Sequence, residues 1–120
     1  MAGPYDFGPF VRDSDRARTV LVEDNKCVVE VDPRVIPSWL CGYVAVPRSK
    51  VPLKWIEDYY DIPVDVHGGV TYLVVFGEYV VIGFDCAHAG DEGRPDLHVP
   101  QHVMTMVRDL EDQLIKLGVV

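Results

Sequence analysis

Two apolar runs flank a two-residue turn in the stretch Val70-Thr-Tyr-Leu-Val-Val-Phe-Gly-Glu-Tyr-Val-Val-Ile-Gly-Phe84. Residues 70–76 and 79–84 are rich in β-branched and aromatic side chains, which favour extended strands. Gly77-Glu78 between them is typical of a tight hairpin. The nearly continuous apolar character predicts that this hairpin is central in its sheet. It also predicts cover on both faces, by other elements or by a second copy of the chain.

Further elements are predicted on either side of this hairpin. β-Branched runs at 19–23 and 27–31 around Asp24-Asn25-Lys26 indicate a second hairpin, and residues 41–46 form another short strand. A short helix is expected over Pro52–Tyr60, where apolar residues recur at helical spacing.

The C-terminal segment Pro100–Leu117 has the pattern of an amphipathic helix that packs on the sheet. Its apolar stripe is Val103, Val107, Leu110, Leu114 and Leu117. The sequence therefore predicts a single α+β domain over residues 1–120, with a mainly antiparallel sheet, a short helix and one long C-terminal amphipathic helix. Residues 1–16, which have no period, are expected to form an N-terminal arm.

Composition limits the function classes. The chain has 120 residues, 48% of them hydrophobic, and its 11 basic and 19 acidic residues give a formal charge of −8. This charge repels nucleic-acid phosphates and anionic membranes, and no basic run reverses it locally. No apolar stretch has the length of a membrane span or the pattern of a secretion signal. We therefore expect a soluble protein of the cytoplasm that binds neither nucleic acid nor membrane.

Cys27, Cys41 and Cys86 are odd in number and form no C-x-x-C pair. A disulfide scaffold and a structural zinc knuckle are therefore not supported. Core packing is the favoured role for all three, with a reactive thiol at Cys86 as the alternative.

Side chains that bind protons, cations or ligands concentrate at the ends of the 70–84 hairpin strands. Across a tight hairpin, the residues before the first strand and after the second meet at its open end. The sequence therefore predicts one polar site there, next to glycines that allow a close backbone approach. Its predicted members are His67, Thr71, Asp85, His88 and Asp91, together with Gly68 and Gly69.

Plainer roles remain open for several of these residues. His67 before two glycines can satisfy backbone groups at a bend, and Asp85 or Asp91 can cap a turn through an Asx hydrogen bond. A functional role is favoured for Asp85, because a carboxylate that directly continues an apolar strand needs a partner such as His88.

Three segments together resemble small proteins encoded by tailed bacteriophages and some of their bacterial hosts. The segments are Gly42-Tyr-Val-Ala-Val-Pro47, Val66-His-Gly-Gly-Val-Thr-Tyr72 and Ile82-Gly-Phe-Asp-Cys-Ala-His-Ala-Gly-Asp91. The resemblance covers roughly residues 41–117 and lies mainly in the combination of H-G-G-x-T-Y with G-F-D-C-A-H-x-G-D. Where those proteins have a Gly-His-Pro turn, this chain has residues 48–52, so a role of that turn does not carry over. The resemblance implies a phage accessory protein in the cytoplasm of a bacterial host.

The first functional hypothesis is a non-catalytic pocket that sequesters a small host metabolite or a nucleotide-derived immune signal, an anti-defence role. The backbone N–H groups of Gly68, Gly69 and Gly90 would contact a phosphate, and Arg48 or Arg94 would neutralise its charge. Tyr43 or Tyr72 would stack on a base. The carboxylates of Asp85 and Asp91 instead favour a cation, hydroxyl groups or base amino groups.

Two further hypotheses belong to other classes. One is a metal-dependent hydrolase, because imidazoles and carboxylates are the ligands of hydrolytic zinc, manganese or iron; its candidate ligands are His67, Asp85, His88 and Asp91. The other is a protein-interaction module that inhibits a host factor. The cofactor is left open. Apolar strands with one covering helix predict at least a homodimer.

Overall fold

Five strands form one antiparallel sheet in the order β1-β2-β3-β5-β4. The computed structural model describes residues 17–31, 38–88 and 90–119. The elements are β1 (Ala17–Glu23), β2 (Lys26–Val31), β3 (Trp39–Pro47), α1 (Leu53–Glu57), β4 (Tyr72–Phe76), β5 (Tyr79–Asp85) and α2 (Pro100–Lys116), with short 3-10 helices at Arg48–Lys50, Tyr59–Asp61, Asp91–Gly93 and Pro95–His98. The predicted α+β architecture is confirmed.

The hairpin of β4 and β5 has the predicted two-residue turn. Phe76 pairs with Tyr79, and Gly77 adopts a φ of 62°, which favours glycine. The predicted central position is correct for β5, which lies between β3 and β4. It is wrong for β4, which is at the edge of the sheet. The reason is that β3 pairs with the whole length of β5, from Cys41 opposite Asp85 to Pro47 opposite Tyr79.

The first hairpin has a tighter turn than the sequence indicated. Glu23 pairs with Lys26, so Asp24 and Asn25 alone form the loop, and Asp24 has a φ of 49°. Lys26 is buried and its Nζ contacts Glu111 Oε1 of α2 at 2.8 Å. This ion pair joins the hairpin to the helix.

Helix α2 covers one face of the sheet, as its apolar stripe predicted. Leu117 differs from the expectation: it follows the last helical residue and is 41% exposed. The buried helix side chains are Val103, Met104, Val107, Leu110 and Leu114, and they pack in one core with Val28, Val44, Ile82 and Phe84 of the strands.

The opposite face of the sheet is also buried at its centre. Cys27, Val29, Ala45 and Val81 form a second apolar cluster there. The predicted burial on both faces therefore holds for β5, whereas the side chains of β4 are only partly buried. On this face the rings of Tyr43 and Tyr72 pack edge to face, with centroids 5.3 Å apart.

Residues 90–99 contain two of the 3-10 helices, and Leu97 is buried in the core. The predicted N-terminal arm, residues 1–16, lies outside the described residues. Among the residues that are described, no helix has the length and apolarity needed to cross a membrane.

Candidate functional site

The segments that flank the β4–β5 hairpin meet at its open end. The backbone N–H of Thr71 donates to the carbonyl of Gly83 at 3.0 Å, which extends the pairing beyond β4. Before it, the N–H of Gly69 donates to the carbonyl of Val66 at 2.9 Å and closes a turn around His67. His67 is thereby placed next to the segment that follows β5, as the sequence predicted.

Asp91 is the centre of this site. Its side chain is only 6% exposed, and Oδ2 lies 2.9 Å from His67 Nε2. The same oxygen accepts a hydrogen bond from the backbone N–H of His88 at 2.9 Å and lies 3.3 Å from His88 Nδ1. One buried carboxylate oxygen therefore contacts three nitrogen atoms from two segments.

Two opposing effects act on the Asp91 carboxyl. Burial raises its pKa, but the hydrogen bonds from the His67 ring and from the His88 backbone outweigh burial. The pKa of Asp91 is lowered as a result. The carboxylate is therefore ionised at neutral pH and can hold a cation or two imidazole rings.

The ring of His88 lies directly over Gly68. A Cβ added to Gly68 would come within 2.1 Å of His88 Cε1, so only glycine leaves room for the ring. Gly68 also has a φ of 71°. The His67 and His88 rings meet edge to face, with centroids 5.4 Å apart. The first glycine of the predicted motif thus permits the approach of the two histidines.

Asp85 forms the predicted turn and lies near His88, the partner that the sequence suggested for it. Its Oδ1 accepts a hydrogen bond from the backbone N–H of Ala87 at 3.0 Å, an Asx-type turn, and lies 3.6 Å from His88 Nδ1. Asp85 is therefore a neighbour of the cluster through His88. We use "the His67 cluster" for His67, His88 and Asp91.

An open cleft of about 570 Å³ adjoins His67. Its wall includes residues of α2 that the sequence reasoning missed. A signal was present, since Thr105, Asp109 and Gln113 recur every four residues along one side of the helix. The lining residues are Asp65, Val66, His67, Gly68, Thr105, Met106 and Asp109.

Gln113 fastens the loop before His67 to α2. Its Oε1 accepts from the backbone N–H of Asp65 at 2.7 Å, and its Nε2 donates to the carbonyl of Asp65 at 2.8 Å. This two-point contact fixes the position of the loop relative to the helix beside the cleft.

Other predicted site residues lie elsewhere. Tyr43 and Tyr72 pack on each other over Gly83, on the face of the sheet opposite to α2. The backbone N–H of Arg48 donates to the carbonyl of Glu78, so Arg48 lies at the turn end of the hairpin, away from His67. Thr71 contributes the backbone bond to Gly83 that extends the hairpin.

Cys86 points into the core, where it is 2% exposed. Burial, with smaller effects from Cys41 and Asp91, raises its pKa to about 12. The thiol is therefore protonated at neutral pH and inaccessible, so packing is its role and a cysteine nucleophile is not supported.

No protein-family model, curated protein or solved structure matches this chain.

Proposed function

We propose that the protein binds a small ligand at the His67 cluster and in the cleft beside it. The observation that supports this most strongly is the buried Asp91 carboxylate, which contacts both imidazole rings, one of which, that of His67, also lines the cleft. Buried carboxylates with two histidine partners are costly to assemble for packing alone, because each polar group loses its hydration. A ligand-binding role would account for this arrangement of buried polar groups.

The lining of the cleft indicates the chemistry of the ligand. Asp65 and Asp109 supply carboxylates, Thr105 a hydroxyl and His67 an imidazole, and no Lys or Arg is among the described lining residues. Arg94, the nearest basic residue in sequence to Asp91, is paired with Asp96 at 2.7 Å. We therefore expect a ligand that presents amino or hydroxyl groups, such as a nucleobase or a ribose, with any phosphate directed to solvent.

The biological role that we propose is sequestration. The resemblance to phage accessory proteins, together with a binding site that lacks a reactive thiol, favours a protein that retains a nucleotide-derived host signal without converting it. Its place of action would be the cytoplasm of the bacterial host. A hydrolase at the same residues would need a metal-bound water as its nucleophile.

The test is a retention experiment on the purified wild-type chain. The protein is incubated with a panel of nucleosides, mononucleotides and cyclic nucleotides, with and without chelator, then separated from free ligand and denatured. Sequestration predicts that one panel member is recovered intact at close to one equivalent per chain. Accumulation of product over many turnovers, abolished by chelator, would replace this proposal with the hydrolase, and retention of no member would refute it for these ligands.

We also expect a homodimer. Strand β4 lies at the sheet edge and its side chains, including Leu73, Val74 and Val75, are only half-buried. An edge of this kind pairs readily with a second copy of itself. Light scattering at micromolar concentration should give the mass of two chains, and the mass of one chain would contradict the expectation.

A further inference from the structure

Asp91 Oδ2 has more nitrogen neighbours than its lone pairs can serve. A carboxylate oxygen has two lone-pair sites, whereas His67 Nε2, His88 Nδ1 and the His88 backbone nitrogen all lie within 3.3 Å of it. The backbone N–H is a fixed donor. One lone pair of Oδ2 therefore remains for two ring nitrogens. Each of these nitrogens itself carries a lone pair in one of the two tautomers of its ring.

A cation bound between the three side chains would remove this excess of nitrogen neighbours around Asp91 Oδ2. We propose that His67 Nε2, His88 Nδ1 and Asp91 Oδ2 are the three protein ligands of one divalent transition-metal ion. In this arrangement each ring nitrogen directs a lone pair to the metal, and Oδ2 keeps the backbone hydrogen bond from His88.

The distances fit such an ion once the two rings move closer together. The candidate ligand atoms of the three residues lie within 4.8 Å of one another. The two nitrogen–oxygen separations are 2.9 and 3.3 Å. A four-coordinate ion with bonds of ~2.1 Å keeps its ligands ~3.4 Å apart, so both observed separations are close to the required value.

The donor set selects the class of metal. Two imidazoles and one carboxylate suit zinc, manganese, iron or cobalt, whereas magnesium and calcium prefer sites made of oxygen. Asp85 Oδ1 lies 3.6 Å from His88 Nδ1 and adds a second negative charge beside the ion. The partial exposure of both histidine side chains, 21% and 34%, leaves a path for the ion to enter.

Three protein ligands leave at least one coordination position open. A nitrogen or oxygen atom of a small molecule in the adjacent cleft would occupy that position, so the metal would be part of the ligand-binding surface. This last step rests on the proposed ligand-binding function, whereas metal binding itself does not.

The experiment measures metal on chelator-treated protein without any small ligand. Zn²⁺ is titrated by calorimetry, and Co²⁺ is titrated by absorption spectroscopy, which separates nitrogen and oxygen ligands from thiolates. We expect one equivalent of metal and no thiolate charge-transfer band. His67→Ala and His88→Ala should each weaken Zn²⁺ affinity by at least about tenfold.

His102→Ala is the matched control, because His102 is a half-exposed histidine that contacts Asp96 and not the His67 cluster. It should leave Zn²⁺ affinity unchanged. His67→Gln, which keeps a hydrogen-bonding side chain, replaces His67→Ala if circular dichroism shows that the alanine variant is unfolded. Absence of stoichiometric binding by the wild type, or equal affinity in His67→Gln and His102→Ala, would overturn the metal site. One equivalent of metal without retention of any nucleotide would uphold the metal site and refute the proposed ligand class.

Discussion

His67 Nε2 and Asp91 Oδ2 lie 2.9 Å apart although 24 residues separate them in the chain. The intervening residues form the β4–β5 hairpin, whose tight turn at Gly77-Glu78 returns the chain to the level of His67. The hairpin therefore brings the two residues to the same end of the sheet, and the turns that flank it provide the final approach.

Replacement of Asp91 by Asn should lower stability in a pH-dependent way. The hydrogen bonds to the carboxylate hold the pKa of Asp91 below its usual value, so its stabilisation is complete above the unfolded-state pKa of about 3.9 and is lost as pH falls through the lower folded-state pKa. Asp91→Asn should cost about 1–3 kcal/mol in unfolding free energy at about pH 5. The difference from wild type should shrink towards about pH 3, as urea denaturation at both pH values would show. A difference that grows on acidification would contradict the assigned sign.

Gly68 and Gly69 provide a matched pair for the role of the His88 ring. Both have positive φ, 71° and 82°, so alanine at either position should cost about 1–2 kcal/mol of stability. Only at Gly68 would the new methyl group meet His88, because nothing lies within 4 Å of a Cβ at Gly69. Gly68→Ala should therefore displace the ring and weaken Zn²⁺ binding by at least about tenfold, whereas Gly69→Ala should retain it. Equal Zn²⁺ affinities of the two variants in calorimetry would show that the position of the His88 ring does not affect metal binding.

The buried ion pair of Lys26 and Glu111 should contribute more to stability than an exposed pair. Glu111→Gln leaves the Lys26 ammonium, whose side chain is 6% exposed, without its charged partner and should cost about 3 kcal/mol. Glu23→Gln is the control, since Glu23 pairs with Arg108 at 2.7 Å on the surface and should cost less than about 1 kcal/mol. Chemical denaturation of the two variants measures both losses in unfolding free energy. Losses of similar size would contradict the larger contribution of the buried pair.

Local sequence patterns were sufficient for the hairpins, the long helix and the proximity of His67 to His88. In each case the determining contact is local or crosses one tight turn, as between Phe76 and Tyr79. The pairing of β3 with β5 is not local, and alternation of side chains does not encode which strand lies at an edge. For this reason the position of β4 was predicted incorrectly.

The same limitation explains the errors at the site. Because β3 runs antiparallel to β5, its end at Pro47 lies beside Tyr79, which carries Arg48 to the end of the hairpin away from His67. The cleft wall depends on the contact between Asp65 and Gln113, 48 residues apart, and therefore on how α2 docks. The polar stripe of α2 is visible in the sequence, but its contact with the loop before His67 is not.

Binding of the ligand at the His67 cluster is tested most directly by comparing two histidine variants in the nucleotide retention experiment. The wild type, His88→Ala and His102→Ala are each incubated with the same panel, and bound material is quantified after denaturation. Loss of a hydrogen bond or metal ligand predicts that His88→Ala retains at least about tenfold less intact ligand than wild type, with His102→Ala unchanged. Retention by a folded His88→Ala variant equal to that of the wild type would contradict ligand binding at the His67 cluster.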